Sequence, residues 1–202
     1  MKSRGCLIAG VILAVVAVLV VGIFLWGVGV NNRLVGMDET VRSAWSQVES
    51  QYQRRADLIP NLVETVKGYA KQEKDVFIGV TEARAKVSQM TVTKDVLEDP
   101  QAFAKFQAAQ DQLGSALSRL LVVSENYPQL KSNENFMNLQ TQLEGTENRI
   151  TVERMRYNQT VQTYNTSIRQ FPVSFIAGFR GFKEKAYFQA KEGSENAPAV
   201  KF

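Results

Sequence analysis

Two pairs of carboxylates are the residues best placed by spacing for general acid–base work, Glu98/Asp99 and Glu144/Glu147. Asp99 stands directly before Pro100, the pattern of an N-cap carboxylate followed by proline at the first helical position, so that pair complements a helix N-terminus. Glu144 and Glu147 are three residues apart in a helical stretch, where a solvated or salt-bridged face accounts for them. None of the 202 residues is histidine, which removes Ser-His-Asp and Cys-His catalysis, histidine-ligated zinc and a histidine pH switch together. The single cysteine, Cys6, lies in an apolar run with five residues before it, too few for a lipoprotein signal, and it leaves nothing for an internal disulfide. The sequence has no phosphate-cradling glycine loop and no cluster of metal ligands. The expectation is a protein that is not an enzyme and holds no cofactor.

Two charges are more informative, because of the pattern they interrupt. Val41, Trp45, Val48, Tyr52, Arg55, Ile59, Leu62, Val66, Tyr69, Glu73, Val76, Val80, Ala83 and Val87 step by four and three throughout. This predicts one amphipathic helix from Met37 to Gln89, about 80 Å long, kinked where Pro60 deletes a backbone hydrogen bond. Arg55 and Glu73 occupy seam positions, and a buried charge is costly unless paired. A second helix starts at Pro100 and carries Phe103, Phe106, Leu113, Leu117, Leu120 and Tyr127. A third runs from about Ser132–Asn133 to Phe171 and carries Phe136, Leu139, Leu143, Ile150, Tyr157, Val161, Tyr164, Ile168 and Phe171. Counting back from the first turn puts Arg119, with Arg154 as alternative or additional partner, at the level of Glu73. Arg55, Glu73, Arg119 and Arg154 thus form the candidate structural polar network, in a bundle whose third helix runs parallel to its first.

A short fourth helix over 173–182 carries Phe175, Ile176, Phe179 and Phe182, the candidate interaction surface. Phe175 and Phe179 are expected to pack on their own bundle, with part of the stretch left for a partner. The fold expected is all-α: an N-terminal transmembrane helix, then a long up-and-down bundle of three long helices and a short fourth. The divisions are residues 1–30 (cytoplasmic stub and anchor), 31–190 (bundle) and 191–202 (a Gly/Glu/Ala-rich tail). The membrane-proximal stretch of the first helix outruns the second, about 42 Å long, and self-association would give Val41, Trp45 and Val48 neighbours.

The anchor is read from the run Cys6–Trp26, 21 apolar or small residues that rise about 31 Å as a helix, the thickness of a bilayer core. It is longer than the apolar core of a cleaved signal peptide, and Gly27-Val28-Gly29 is a poor small-x-small site. Lys2, Arg4 and the terminal amine on one side, against Arg33 alone on the other, place the N-terminus in the cytoplasm and the rest outside it. Gly5/Ala9 and Gly10/Ala14 have small-xxx-small spacing, a weak sign of helix pairing in so Gly- and Ala-rich a span. Beyond the run the chain has 22 basic and 20 acidic residues, a near-neutral body with no electrostatic case for nucleic acid. Asn158-Gln159-Thr160 and Asn165-Thr166-Ser167 match the glycosylation sequon by coincidence within a helix.

The chain resembles the LemA family along nearly its whole length. Ala44-Trp45-Ser46, the run Arg54 to Val63 (RRADLIPNLV) and Val66-Lys67-Gly68-Tyr69 carry the match, as do Tyr127-Pro128, Asn133-Glu134-Asn135-Phe136 and Thr146-Glu147-Asn148-Arg149-Ile150. Tyr157-Asn158, Tyr164-Asn165, Phe171-Pro172 and Gly181-Phe182 complete it. The resemblance implies a bacterial inner-membrane protein with an outward-facing helical bundle, and little about biochemistry, since the family has no established catalytic activity. Through gene neighbourhoods it also points to envelope partners such as a membrane metallopeptidase or a TPM-domain protein. The functional expectation is a membrane-anchored scaffold or adaptor acting through helix–helix contacts, with itself or with envelope proteins. A lipid-binding or membrane-remodelling protein is the first alternative, and an accessory subunit of a membrane peptidase the second.

Overall fold

The computed structural model describes residues 2–90 and 92–190, with side chains from Gly10 onward except that of Lys94. The tail 191–202 and the side chains of Lys2, Arg4, Cys6 and Ala9 lie outside the described residues. Seven helices and no strand occur among those described: α1 (Lys2–Tyr69), α2 (Lys74–Ser88), α3 (Lys94–Glu98), α4 (Pro100–Ser124), α5 (Pro128–Lys131), α6 (Glu134–Arg169) and α7 (Val173–Arg180). Their contacts group the described residues into two compact units: those up to Arg42 with Gln162–Glu184, and Ser43–Val161 with residues 185–190.

The second unit is an up-and-down bundle with a turn that the periodicity does not reveal. The seam pattern predicts one helix through to Gln89, but α1 ends at Tyr69 and the chain reverses over 70–73 into α2. The reversal is closed by Glu73 N–H donating to the Ala70 carbonyl at 3.0 Å. Arg84 of α2 then reaches back to the Ala56 carbonyl at 3.3 Å. Antiparallel helices share the spacing of three and four, so apolar periodicity runs through such a turn with only a slip in phase. Ala70 is buried rather than Tyr69, and Phe77 rather than Val76. Pro60 sits inside α1, which continues past it.

This reversal resets every later direction. α4 runs parallel to α1, since Arg55 meets Gln110 and Gln72 meets Tyr127. α6 runs antiparallel to α1, since Arg154 meets Tyr52 and Asn133 meets Tyr69. The expected parallel third helix is therefore corrected: one added hairpin inverts the order. Between α1, α2, α4, α5 and α6 the core includes Ile59, Leu62, Val66, Phe77, Val80, Leu113, Leu117, Leu120, Leu130, Phe136 and Leu143.

Helix starts obey local chemistry. The Asp99 carboxylate accepts from the N–H groups of Gln101 and Ala102 at 2.8 and 3.2 Å, with Pro100 as first helical residue. Asn133 accepts from Phe136 N–H at 3.0 Å where α6 begins. In the first unit α7 ends at Gly181, whose φ of 75° is the left-handed cap that glycine adopts without strain.

α1 is also the one described helix long and apolar enough to cross a membrane, near the N-terminus and with none of its most apolar window buried. Val11 to Val28 present large apolar side chains outward all round, the surface expected where the solvent is lipid.

Candidate functional site

The densest chemistry in the second unit is a ring of aromatics with two guanidinium groups. Trp45 of α1 meets Phe103, Phe106 and Tyr157 edge-on, with centroids 5.9, 5.5 and 5.6 Å away, and stacks near Phe188 at 6.0 Å. Arg154 lies over the rings of Tyr52 (5.5 Å) and Phe188 (4.9 Å), and Arg55 over that of Tyr52 (5.3 Å). Such cation–π contacts gain strength as water is excluded.

Each guanidinium also bridges helices. Arg55, with 3% of its side chain exposed, donates to Glu147 of α6 at 2.8 Å and to the Gln110 side chain of α4. Arg154 donates to the Tyr52 hydroxyl at 2.7 Å and approaches Asp111 at 3.4 Å.

Residues 182–190 come after α7 as extended chain, and from Lys185 onward they form a strap on this unit. Side-chain amides replace a strand partner there. Asn158 donates to the Phe188 carbonyl and accepts from its N–H, both at 2.9 Å. Gln107 does the same for Gln189 at 2.7 and 3.1 Å. Ala186 donates to the Leu97 carbonyl at 2.8 Å and accepts from the Tyr157 hydroxyl at 3.2 Å. Buried Lys185 pairs with Glu98 at 2.8 Å. In this way the strap's buried backbone groups find partners without a sheet.

Of the four residues expected to form one polar network, the structure brings Arg55 and Arg154 together across the Tyr52 ring and places the other two elsewhere. Glu73 caps the turn before α2, where it accepts from the Tyr127 hydroxyl at 3.2 Å. Arg119 is exposed on α4. The pairing of Glu73 with Arg119 or Arg154 is corrected because its register was counted from a turn near residue 92, whereas the first turn is at 70–73. The carboxylate pairs divide between tasks: Asp99 caps α4, Glu98 holds Lys185, Glu147 holds Arg55, and Glu144 accepts from Gln140 at 3.0 Å on an exposed face.

Gln107, Gln110, Asn158 and Phe188 were not among the sequence candidates. In the strap Ala186 and Phe188 are buried on either side of the more exposed Tyr187, an order of burial that the run Lys185-Ala186-Tyr187-Phe188 does not signal by itself.

Chemically this cluster holds rather than reacts. Guanidinium groups keep their charge throughout the physiological range. Burial pushes the Tyr157 phenol well above its ordinary value, and burial pushes Tyr52 up against the opposing pull of the Arg154 guanidinium. Both phenols keep their proton in the folded chain where an unfolded chain loses it. Their contribution to stability is therefore complete below about pH 10 and is lost as pH rises from there through the folded values. The thermal midpoint in detergent micelles should fall as pH rises above about 10, and Tyr157→Phe should make that fall shallower; an unchanged slope would remove Tyr157 as its source.

Among the described residues no group of three or more His, Cys, Asp or Glu side chains converges. A recess of about 550 Å³ lies at Glu49, Ser50, Gln53, Arg54, Asp57 and Leu58. All six are on α1, so the recess is an open face of one helix.

In the first unit, the expectation that Phe175 and Phe179 pack inward is corrected. They are 72% and 92% exposed, and Phe171 is 81% exposed. Ala177 faces in, while Ile176 and Phe182 are half-buried. The face of α7 that packs carries Ala177 and Ile176, which leaves the aromatic stripe outside.

Val41, Trp45 and Val48, for which a second copy was expected to supply neighbours, are buried within the chain. The premise of that expectation is thereby removed, since Trp45 is enclosed by its own Phe103, Phe106, Tyr157 and Phe188.

Residues 44–202 match the LemA family. The chain is similar to magnetosome protein MamQ 2 of Paramagnetospirillum magneticum, 29% identical over 181 residues, covering 81% of this chain and 66% of that protein. Magnetosome protein MamQ of Magnetospirillum gryphiswaldense is 28% identical over 180 residues, with the same coverage. Protein LemA of Metamycoplasma hominis is 24% identical over 176 residues, covering 87% of this chain and 76% of its own. The chain thus spans slightly less than two thirds of the length of the magnetosome proteins it matches.

Proposed function

Because the chain belongs to the LemA family and joins an apolar N-terminal helix to a helical domain, we propose that it is a non-enzymatic scaffold tethered to the bacterial inner membrane. Its N-terminus lies in the cytoplasm, and its helical domain works outside the cytoplasm through contacts with envelope proteins. One observation carries this reading: polar side chains buried or half-buried in the second unit bind one segment of the chain to another. Arg55 joins α1, α4 and α6, Arg154 joins α6 to α1 and α4, and Gln107, Asn158 and Lys185 secure the strap. A domain braced in this way presents fixed outer faces. Relatives named for a cellular structure, the magnetosome, support a structural role.

The test is photo-cross-linking in intact cells from the exposed apolar positions Ile78, Val122 and Met155 of the full chain, alongside alkaline phosphatase fused after Phe202. Discrete adducts and an active phosphatase are expected. No adduct from any of the three positions would sink the scaffold reading, and an inactive fusion would reverse the orientation.

A further inference from the structure

Phe175 and Phe179 lie one turn apart on one side of α7, and the Phe171 ring in the turn before it meets Phe175 edge-on with centroids 5.9 Å apart. Phe171, Phe175 and Phe179 are the most outward aromatic side chains among the described residues, 81%, 72% and 92% exposed. Aromatic residues this open and this aligned are unusual on a surface facing water. What lies beside them identifies the occupant.

Within the first unit α7 is fixed to α1 where the apolar run ends. The Ile176 side chain lies 3.8 Å from where a Cβ on Gly27 would be, and Arg180 Nε donates to Asn31 Oδ1 at 2.9 Å. Residues 27–31 come directly after the run Cys6–Trp26. Phe24, Leu25 and Trp26 on α1 are themselves 68%, 63% and 45% exposed, the surface that faces lipid if this helix spans a bilayer. The aromatic stripe is thus attached at the height where hydrocarbon gives way to headgroups. Tryptophan and other amphipathic side chains concentrate at that level, and short apolar helix faces embed there. Arg33, Arg180 and Lys183 are exposed in the same unit, and such stems can carry their charge toward lipid phosphates.

We propose that α7 is a second, interfacial membrane contact: Phe171, Phe175 and Phe179 embed in the bilayer crossed by the N-terminal helix, about 5–10 Å into its headgroup–acyl boundary. This rests on the anchoring reading above. It differs from a docking site for another protein, because its occupant is the lipid already surrounding α1. The contact would hold the lower part of the chain at two points on the membrane rather than one.

The test uses full-length protein carrying Cys6→Ser, reconstituted in phosphatidylcholine–phosphatidylglycerol vesicles, with one nitroxide label at a time. Labels replace Leu19, Phe175, Phe179 or Val122, the last being an exposed apolar residue of the second unit. Collision rates with oxygen, which partitions into lipid, and with a water-soluble nickel chelate report depth. Labels at Phe175 and Phe179 should lose nickel collisions relative to Val122 and gain oxygen collisions, as the Leu19 label does. Labels at 175 and 179 as accessible to nickel as Val122, with Leu19 protected, would overturn this proposal and leave the anchor standing. A Leu19 label open to nickel would overturn both. Spin–spin broadening at Phe179 that disappears on dilution with unlabelled protein would show that a second copy covers the stripe, and would overturn the lipid assignment.

Discussion

Glu147→Ala should lower the stability of the full chain in detergent micelles by about 3 kcal/mol, at the low end of what stranding a buried charge costs. The reason lies in asymmetric burial. The Arg55 side chain is 3% exposed and that of Glu147 is 42% exposed. Removing the carboxylate leaves the guanidinium in the interior, where Gln110 and the Tyr52 ring supply only neutral partners. Its Nε already lacks a hydrogen-bond partner among the described residues. The outer half of the site is open enough for water to enter, which keeps the loss from being larger. Glu147→Gln retains an acceptor and should cost about 1–2 kcal/mol. Replacing both partners, Arg55→Leu with Glu147→Ala, should recover part of the single-mutant loss, since an apolar pair leaves only Gln110 unsatisfied. Chemical denaturation of the four proteins measures the cycle. Strictly additive losses would show that Arg55 and Glu147 are not coupled.

Phe188→Ala is expected to cost about 3–5 kcal/mol, as large as a core phenylalanine deletion elsewhere. Phe188 belongs to no helix, yet it is 8% exposed and lies 4.8 Å from Phe103, 5.5 Å from Tyr157 and 4.9 Å from the Arg154 guanidinium. Deleting its ring opens a cavity beside Trp45 and removes the face over which Arg154 sits. The strap then keeps only its polar ties, and Asn158→Ala in the same background should release them further by leaving the backbone of residue 188 unpaired. Thermal unfolding followed at the aromatic circular dichroism bands reads both effects. A midpoint unmoved by Phe188→Ala would mean that the strap lies on the bundle without belonging to its core.

The sequence by itself determined the class of structure and most of the residues that bury. A 21-residue apolar run needs no tertiary partner to be read as a membrane-crossing length, because lipid and backbone hydrogen bonding set that requirement locally. Helix starts at Pro100 and after Asn133 were legible for a similar reason, since a cap acts within three residues of itself. Trp45, Tyr52, Phe103 and Tyr157 stood out as seam residues because period alone marks the face that turns inward.

Direction and partnership were decided only by the tertiary structure. The turn at 70–73 leaves the three-and-four spacing intact, so nothing periodic separates one long helix from a hairpin. Gly68 and the polar run from Lys71 to Asp75 were its only local signs. Missing that turn inverted α4 and α6 and moved Glu73 from mid-bundle to a cap beside Tyr127. Arg55 was identifiable as an interior charge from its seam position, but Arg154 joins it at Tyr52 through a contact between residues 102 positions apart. The strap was hidden for a related reason. Its backbone is satisfied by the side chains of Gln107 and Asn158, so it has the burial of a strand with no partner strand for a pattern to reveal. The Phe171–Phe179 stripe shows the same division. Spacing aligned its rings on one face, but only packing decided that Ala177 and Ile176 turn toward the protein and the rings away from it.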